Sequence, residues 1–195
     1  NTQVDKIYEG EIILKNKIKI KSDYTIVATE AKNLLEGHNL GSVKWKSCVN
    51  FYFEIEKKSS GNGLIGLLPG KSTVINNIFF ASGIKSKITG TKQLLSVTVI
   101  DPKSYSNGDL IDRVQYELKK YCNINVIRLI NQFNIVKSLP DLHDVSNTKK
   151  PSEFQISDSI FLAGDHELNP SLNAAITSGE MSALQLIKID KLNNL

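Results

Sequence analysis

The chain has 195 residues, 41% apolar and 23% charged, an ordinary balance for a globular protein of one large or two small domains. Its 24 Lys and Arg against 20 Asp and Glu give a net charge of +4 spread along the sequence. Without interleaved aromatic partners, this charge argues against a nucleic-acid surface. No apolar run is long enough for a transmembrane helix, and Cys48 and Cys122, far apart and in no metal-ligand spacing, are expected to be reduced thiols in a cytoplasmic protein.

Residues 3–29 read as short strands, Val4 to Ile7, Glu11 to Leu14, Ile18 to Ile20 and Tyr24 to Ala28, punctuated by Gly10, Asn16 and Ser22-Asp23 as in a meander. Lys15, Lys17, Lys19 and Lys21 alternate along one solvated face. The last strand is more continuously apolar, as for a strand buried on both faces. Ala31 to Glu36 reads as a short helix stopped by Gly37. The alternation at Val49-Asn-Phe-Tyr-Phe-Glu-Ile-Glu predicts a half-buried strand. Gly61-Asn-Gly predicts a turn, and Leu64 to Leu68, Val74 to Phe80 and Leu94 to Ile100 are further strands. Asn107 to Cys122 has helical spacing, with Leu110, Ile111, Val114, Leu118 and Tyr121 as its apolar stripe and Asp109 and Asp112 near its positive end. Strands are expected at Asn125 to Ile130 and near Phe133 to Val136. Residues 141–158 form a polar loop.

The most informative stretch is 159–184. An apolar run, Ile160 to Ala163, ends abruptly at Gly164-Asp165. After a short polar loop, Ser171 opens a helical pattern with Leu172, Ala175, Ile176, Gly179, Ala183 and Leu186 on one side. A buried strand, an acidic loop and a helix start define the kind of crevice in which open α/β sheets bind ligands. The first amides of the helix are free donors, and the helix dipole adds roughly half a positive charge there. Ala163-Gly164-Asp165, Ser171-Leu172-Asn173-Ala174-Ala175 and Ser178-Gly179 resemble the C-terminal flavin motif of FAD-dependent amine oxidoreductases, the family of amine oxidases, protoporphyrinogen oxidases and phytoene desaturases. Ala174 stands where the family often has Gly. Asp23-Tyr-Thr-Ile-Val-Ala-Thr-Glu-Ala and Phe133-Asn-Ile-Val-Lys-Ser-Leu-Pro are similar to two further segments in family order, so the resemblance covers about the last half of a typical member.

The resemblance implies a mixed α/β fold. Residues 1–36 and 141–195 would form a partial FAD-binding lobe, and residues 37–140 a substrate-binding lobe built on a mixed sheet. It implies that the Asp165 carboxylate accepts a ribityl hydroxyl of FAD. The amides of Leu172, Asn173 and Ala174 would donate to the flavin pyrimidine carbonyl. Gly164 and Ser171 complete the expected cofactor-binding set, and Ser171 also caps the helix. From spacing alone, Asp165 is equally a turn or capping aspartate.

The Gly-x-Gly-x-x-Gly turn that cradles the FAD pyrophosphate is expected to be missing. The chain therefore reads as a C-terminal fragment whose partner is an N-terminal FAD-binding segment, inactive alone. The substrate would be an apolar or amine small molecule. The lysine that many amine oxidases carry near the flavin has no counterpart in Ser47-Cys-Val-Asn-Phe-Tyr-Phe, which leans toward apolar substrates. The alternative is a non-catalytic binding module that keeps the fold without the cofactor. Gly70-Lys71-Ser72-Thr73 fails as a phosphate loop, because Gly66 precedes Gly70 by only three intervening residues and Pro69 removes an amide. His38, His143 and His166 show no metal-ligand spacing.

Overall fold

The computed structural model describes residues 2–38, 40–56, 65–68, 70, 72–81, 92–102 and 104–193. The chain falls into two compact units, residues 1–44 with 140–195, and residues 45–139.

The second unit is a five-stranded sheet on which one helix packs. The strands are β5 (Lys44–Glu56), β6 (Ile65–Leu67), β7 (Ile75–Phe80), β8 (Lys92–Ile100) and β9 (Val126–Asp141), in spatial order β6-β7-β8-β5-β9. Alternation in β5 and β8 sends Val49, Phe51, Phe53, Ile55, Leu95, Val97 and Val99 to one face. There they meet Leu110, Val114 and Leu118 of α1 (Asn107–Cys122) in a single core. Ser106 caps α1 by accepting the Asp109 N–H, and Asn123 closes it in a left-handed conformation.

The α1 stripe differs from expectation at two places. Tyr121 is exposed, whereas Glu117 is fully buried. The Glu117 carboxylate accepts the N–H groups of Val74 and Ile75, at 3.0 and 3.1 Å, and Arg113 Nε at 2.7 Å. It thus satisfies the amides that lead into β7, a role no helical periodicity announces. The two strands expected within 125–136 are one strand of 16 residues. Asn131 and Gln132 do not interrupt it because β9 lies at a sheet edge, where polar residues are solvated, and Pro140 is tolerated near its end. The predicted turn at Gly61-Asn-Gly and the residues Pro69 and Lys71 lie outside the described residues. Beside them, Thr73 N–H and Oγ1 both bond to Gly70 O, a plain turn.

In the first unit, β1 (Val4–Tyr8), β2 (Glu11–Leu14) and β3 (Lys19–Lys21) form an antiparallel meander. Its lysines face water, and two pair with Asp5 and Glu11. β4 (Thr25–Val27) leaves the meander and pairs in parallel with β10 (Ile160–Leu162). Ile160, Leu162 and Val27 share a core with Ile7, Ala31 and Leu35. The helix expected at Ala31 to Glu36 is a pair of turns: Leu34 and Leu35 both bond back to Ala31 O, while Leu34 O accepts the Ile7 N–H. Six residues cannot offset the cost of helix nucleation when a neighbouring strand claims one of their carbonyls.

The loop at 141–158 contains a 3₁₀ turn, Pro151–Phe154. It buries Phe154 against Leu168 and Ala174. Among the described residues, the parallel pair, the antiparallel pairings and two α-helices make a mixed α/β fold, as expected. Among the described residues no helix is long and apolar enough to cross a membrane.

Candidate functional site

The strand β10 ends at Leu162, and Ala163 continues it by donating to Val27 O. At Gly164 the chain turns with φ +150°, a conformation open essentially only to glycine. A Cβ at this position would run into the His166 ring. The turn is anchored from the following helix, α2 (Leu172–Asn193), because Gly164 N–H donates to Ser178 Oγ at 2.8 Å. Four residues further on, Ser182 Oγ donates to Leu162 O.

These two bonds correct the expected face of α2. The helix buries Ala174, Ser178, Ser182 and Gln185, while Leu172 and Ile176 are 77% and 63% exposed. Small hydroxyl side chains let the helix approach the end of the strand closely and satisfy backbone groups there, so close packing overrides the apolar count.

Asp165 begins a 3₁₀ turn, Asp165–Glu167. Its carboxylate is partly exposed, with His166 Nδ1 at 3.9 Å, beyond hydrogen-bond reach. It remains available as an acceptor. Ser171 is the N-cap of α2: its Oγ accepts the Ala174 N–H at 3.1 Å and donates to Asn169 Oδ1 at 2.7 Å. The cap takes the Ala174 amide for itself and leaves those of Leu172 and Asn173, which helix geometry gives no intrahelical partner. Ala174 is buried and Asn173 exposed. The six predicted residues therefore present a carboxylate acceptor, two orphan amide donors and a helix N-terminus, held by serine anchors. This donor and acceptor set suits a ligand that carries both hydroxyls and carbonyls.

A cavity of about 310 Å³ in the same unit is lined by residues 41–44, 141–143, His166 and Glu167. The predicted residues lie outside that lining, which begins one residue beyond Asp165. Glu167 is paired with Lys149 at 3.4 Å. His166 and His143, read from sequence as isolated, both line this cavity; their sharing it depends on tertiary folding, which spacing does not reveal. Among the described residues no cluster of His, Cys, Asp and Glu could hold a metal ion, and both cysteines are free thiols.

The spacing of a Gly-rich turn does occur once, at Gly61, Gly63 and Gly66, contrary to expectation. Gly66 lies inside β6, which leads to the antiparallel β7 and not to a helix. Its lack of a side chain serves packing, since a Cβ would stand 2.8 Å from Ile78 Cγ1. A pyrophosphate cradle needs a strand, the turn and then a helix N-terminus, so this string is not one.

Solved structures share this architecture. An oxidoreductase from Methanosarcina mazei matches with a TM-score of 0.66 at 14% identity, over 94% of this chain and 49% of its own. Reduced UDP-galactopyranose mutase matches at 0.63 and 12% identity, over 98% and 46%. A putrescine oxidase variant redesigned for cofactor binding matches at 0.59 and 12%, over 96% and 48%. The fold is shared with these proteins. The chain spans about half the length of the structures it matches. No protein-family model matches the sequence, and a search of curated proteins finds no match.

Proposed function

We propose that this chain is the C-terminal part of an FAD-dependent oxidoreductase of the amine oxidase and phytoene desaturase type. The observation that carries the reading is the turn at Gly164-Asp165. It sets the Asp165 carboxylate, which has no hydrogen-bond partner among the described residues, at the end of a buried parallel strand and is tied by Ser178 to the helix whose Leu172 and Asn173 amides the cap leaves over. The motif resemblance, the shared fold and the cofactor binding of the putrescine oxidase relative support it.

FAD, when bound, supplies the hydride-accepting chemistry. Asp165 would hold a ribityl hydroxyl, and the amides of Leu172 and Asn173 would meet the pyrimidine carbonyl. The dipole of α2 would favour negative charge at that ring edge. The pyrophosphate cradle would come from a further polypeptide segment, so the chain alone binds FAD weakly and is not active. An apolar or amine small molecule would be the substrate, in a cytoplasmic setting. Titrating FAD into the 195-residue chain and following flavin fluorescence tests this. Weak quenching that Asp165→Ala reduces further is expected; tight stoichiometric binding would contradict the fragment reading.

A further inference from the structure

The parallel pair of the first unit is bare on one side. Parallel sheets are buried on both faces, and sheets usually hold about four to six strands, yet β10 and β4 stand as two among the described residues. The far edge of β10 is covered, since Gln155 bridges Phe161 and Ile156 N–H donates to Ile160 O. The far edge of β4 is not. Thr25 N–H and Val27 O point to β10, where they bond Ser159 O and Ala163 N–H. Alternation therefore turns the Ile26 N–H and C=O outward, and neither has a partner among the described residues. Unpaired backbone of this kind is a template for another strand.

The layer over the sheet stops along the same line. Phe161 and Ile26 are register partners on one face. α2 lies over that face: Asn193 Nδ2 donates to the hydroxyl of Tyr24, whose ring lies against Phe161. Phe161 is fully buried, but Ile26 beside it is 38% exposed. The cover thus ends between the two strands. On α2, Gln185 bonds Gln155 and Met181 packs on the Phe154 cluster, both beyond the far edge of β10. The opposite flank carries Leu172, Ala175, Gly179, Ala183 and Leu186, most of the apolar side read from the sequence, and none of them is fully buried. A Cβ on Gly179 would meet no atom within 4 Å.

We propose that the open edge of β4 and the bare flank of α2 receive one further segment of polypeptide: a strand parallel to β4, then a helix packed over Ile26 against Leu172, Gly179 and Leu186. Only an extended backbone pairs the Ile26 N–H and C=O, and a helix that follows a parallel strand folds back over the same sheet. A second copy of this chain fits poorly. Two-fold pairing would present its β4 antiparallel, and β4 is followed by turns, which bring no helix over Ile26. The solved structures that share the fold carry about as much chain again outside the matched part. The inference rests on the reading of the chain as part of a longer oxidoreductase, and it names where the further segment is held. The added helix would start at the end of the sheet where α2 also starts, so its first amides would join the candidate site.

Hydrogen exchange without FAD, resolved to single residues by fragmentation mass spectrometry, tests it on the 195-residue chain and on the polypeptide of the complete reading frame that contains it. The Ile26 N–H is expected to exchange freely in the first and at least about a hundredfold more slowly in the second. Gly179→Leu fills the space beside α2. It should leave the urea midpoint of the 195-residue chain unchanged or raised. In the longer polypeptide it should speed Ile26 exchange about tenfold or more, with the α1 amides unchanged. Gly179→Ala, a smaller intrusion, should lose less protection. Equal Ile26 exchange in both polypeptides, protection that grows with the concentration of the 195-residue chain alone, or full protection in the longer Gly179→Leu polypeptide would overturn the inference. The FAD titration reads Asp165, so either reading can fail while the other stands.

Discussion

Replacing Gly164 by alanine separates two physical costs that meet at one position. The first is backbone strain: at φ +150° a side chain is disfavoured by about 1–3 kcal/mol, and nothing nearby can relieve that. The second is the collision of the new Cβ with the His166 ring. A ring can rotate away, but His166 is nearly enclosed beside Asp165 and Glu167, so its displacement also disturbs the turn. Gly164→Ala should therefore lose about 2 kcal/mol of stability from strain alone. His166→Ala in the same chain should restore only the part due to collision. Urea unfolding of the wild type, both single variants and the double variant closes the cycle. A Gly164→Ala protein within about 0.5 kcal/mol of wild type, the range of neutral surface changes, would refute the claim that this turn requires glycine.

Ser171→Ala removes the cap on α2 and should cost about 1 kcal/mol, read in the same unfolding assay. Glu117→Ala leaves two strand amides and Arg113 without their acceptor; about 3 kcal/mol is expected, discounted for the partial exposure of Arg113. Glu117→Gln, which keeps one acceptor oxygen, should lose less. Glu54 is held below the ordinary carboxylate range by hydrogen bonds from Lys92 and Arg128. A depressed folded value means its stabilisation is present above the unfolded carboxylate value and is lost as pH falls through the folded one. Stability should thus decline as pH drops below about 4, and Glu54→Gln should flatten that part of the profile; an unchanged acid limb would contradict the assignment.

The elements most legible in the sequence were those whose local signals agree with their packing. Ser106, the i, i+3, i+4 apolar spacing and Asn123 bound α1 at both ends. The unbroken Ile160-to-Ala163 run gives β10, and the alternation around Phe51 and Phe53 gives β5. What could not be read depends on distant partners. The second face of β5, with Asn50, is ordered only through its bonds to Ser96 and Thr98. Glu117 looks like a solvated charge until Val74 and Ile75 arrive beneath it. The buried face of α2 was misjudged because an apolar count cannot see that Ser178 and Ser182 bond the end of β10. At the candidate site, the motif pointed to the strand end at Gly164-Asp165 and to the helix cap at Ser171, and the structure has a turn and a cap at those positions. It did not anticipate that the His166 ring would lie against Gly164, since that contact follows from the positive φ of the turn.

The central claim is that Asp165 and the capped start of α2 meet a flavin. Ligand-detected NMR with FAD on the 195-residue chain, repeated with Asp165→Ala, addresses it most directly. Saturation reaching the ribityl protons, weak in the wild type and reduced about tenfold or more in affinity by the substitution, is the predicted result. Transfer confined to the adenine, or signals unaffected by Asp165→Ala, would contradict the account.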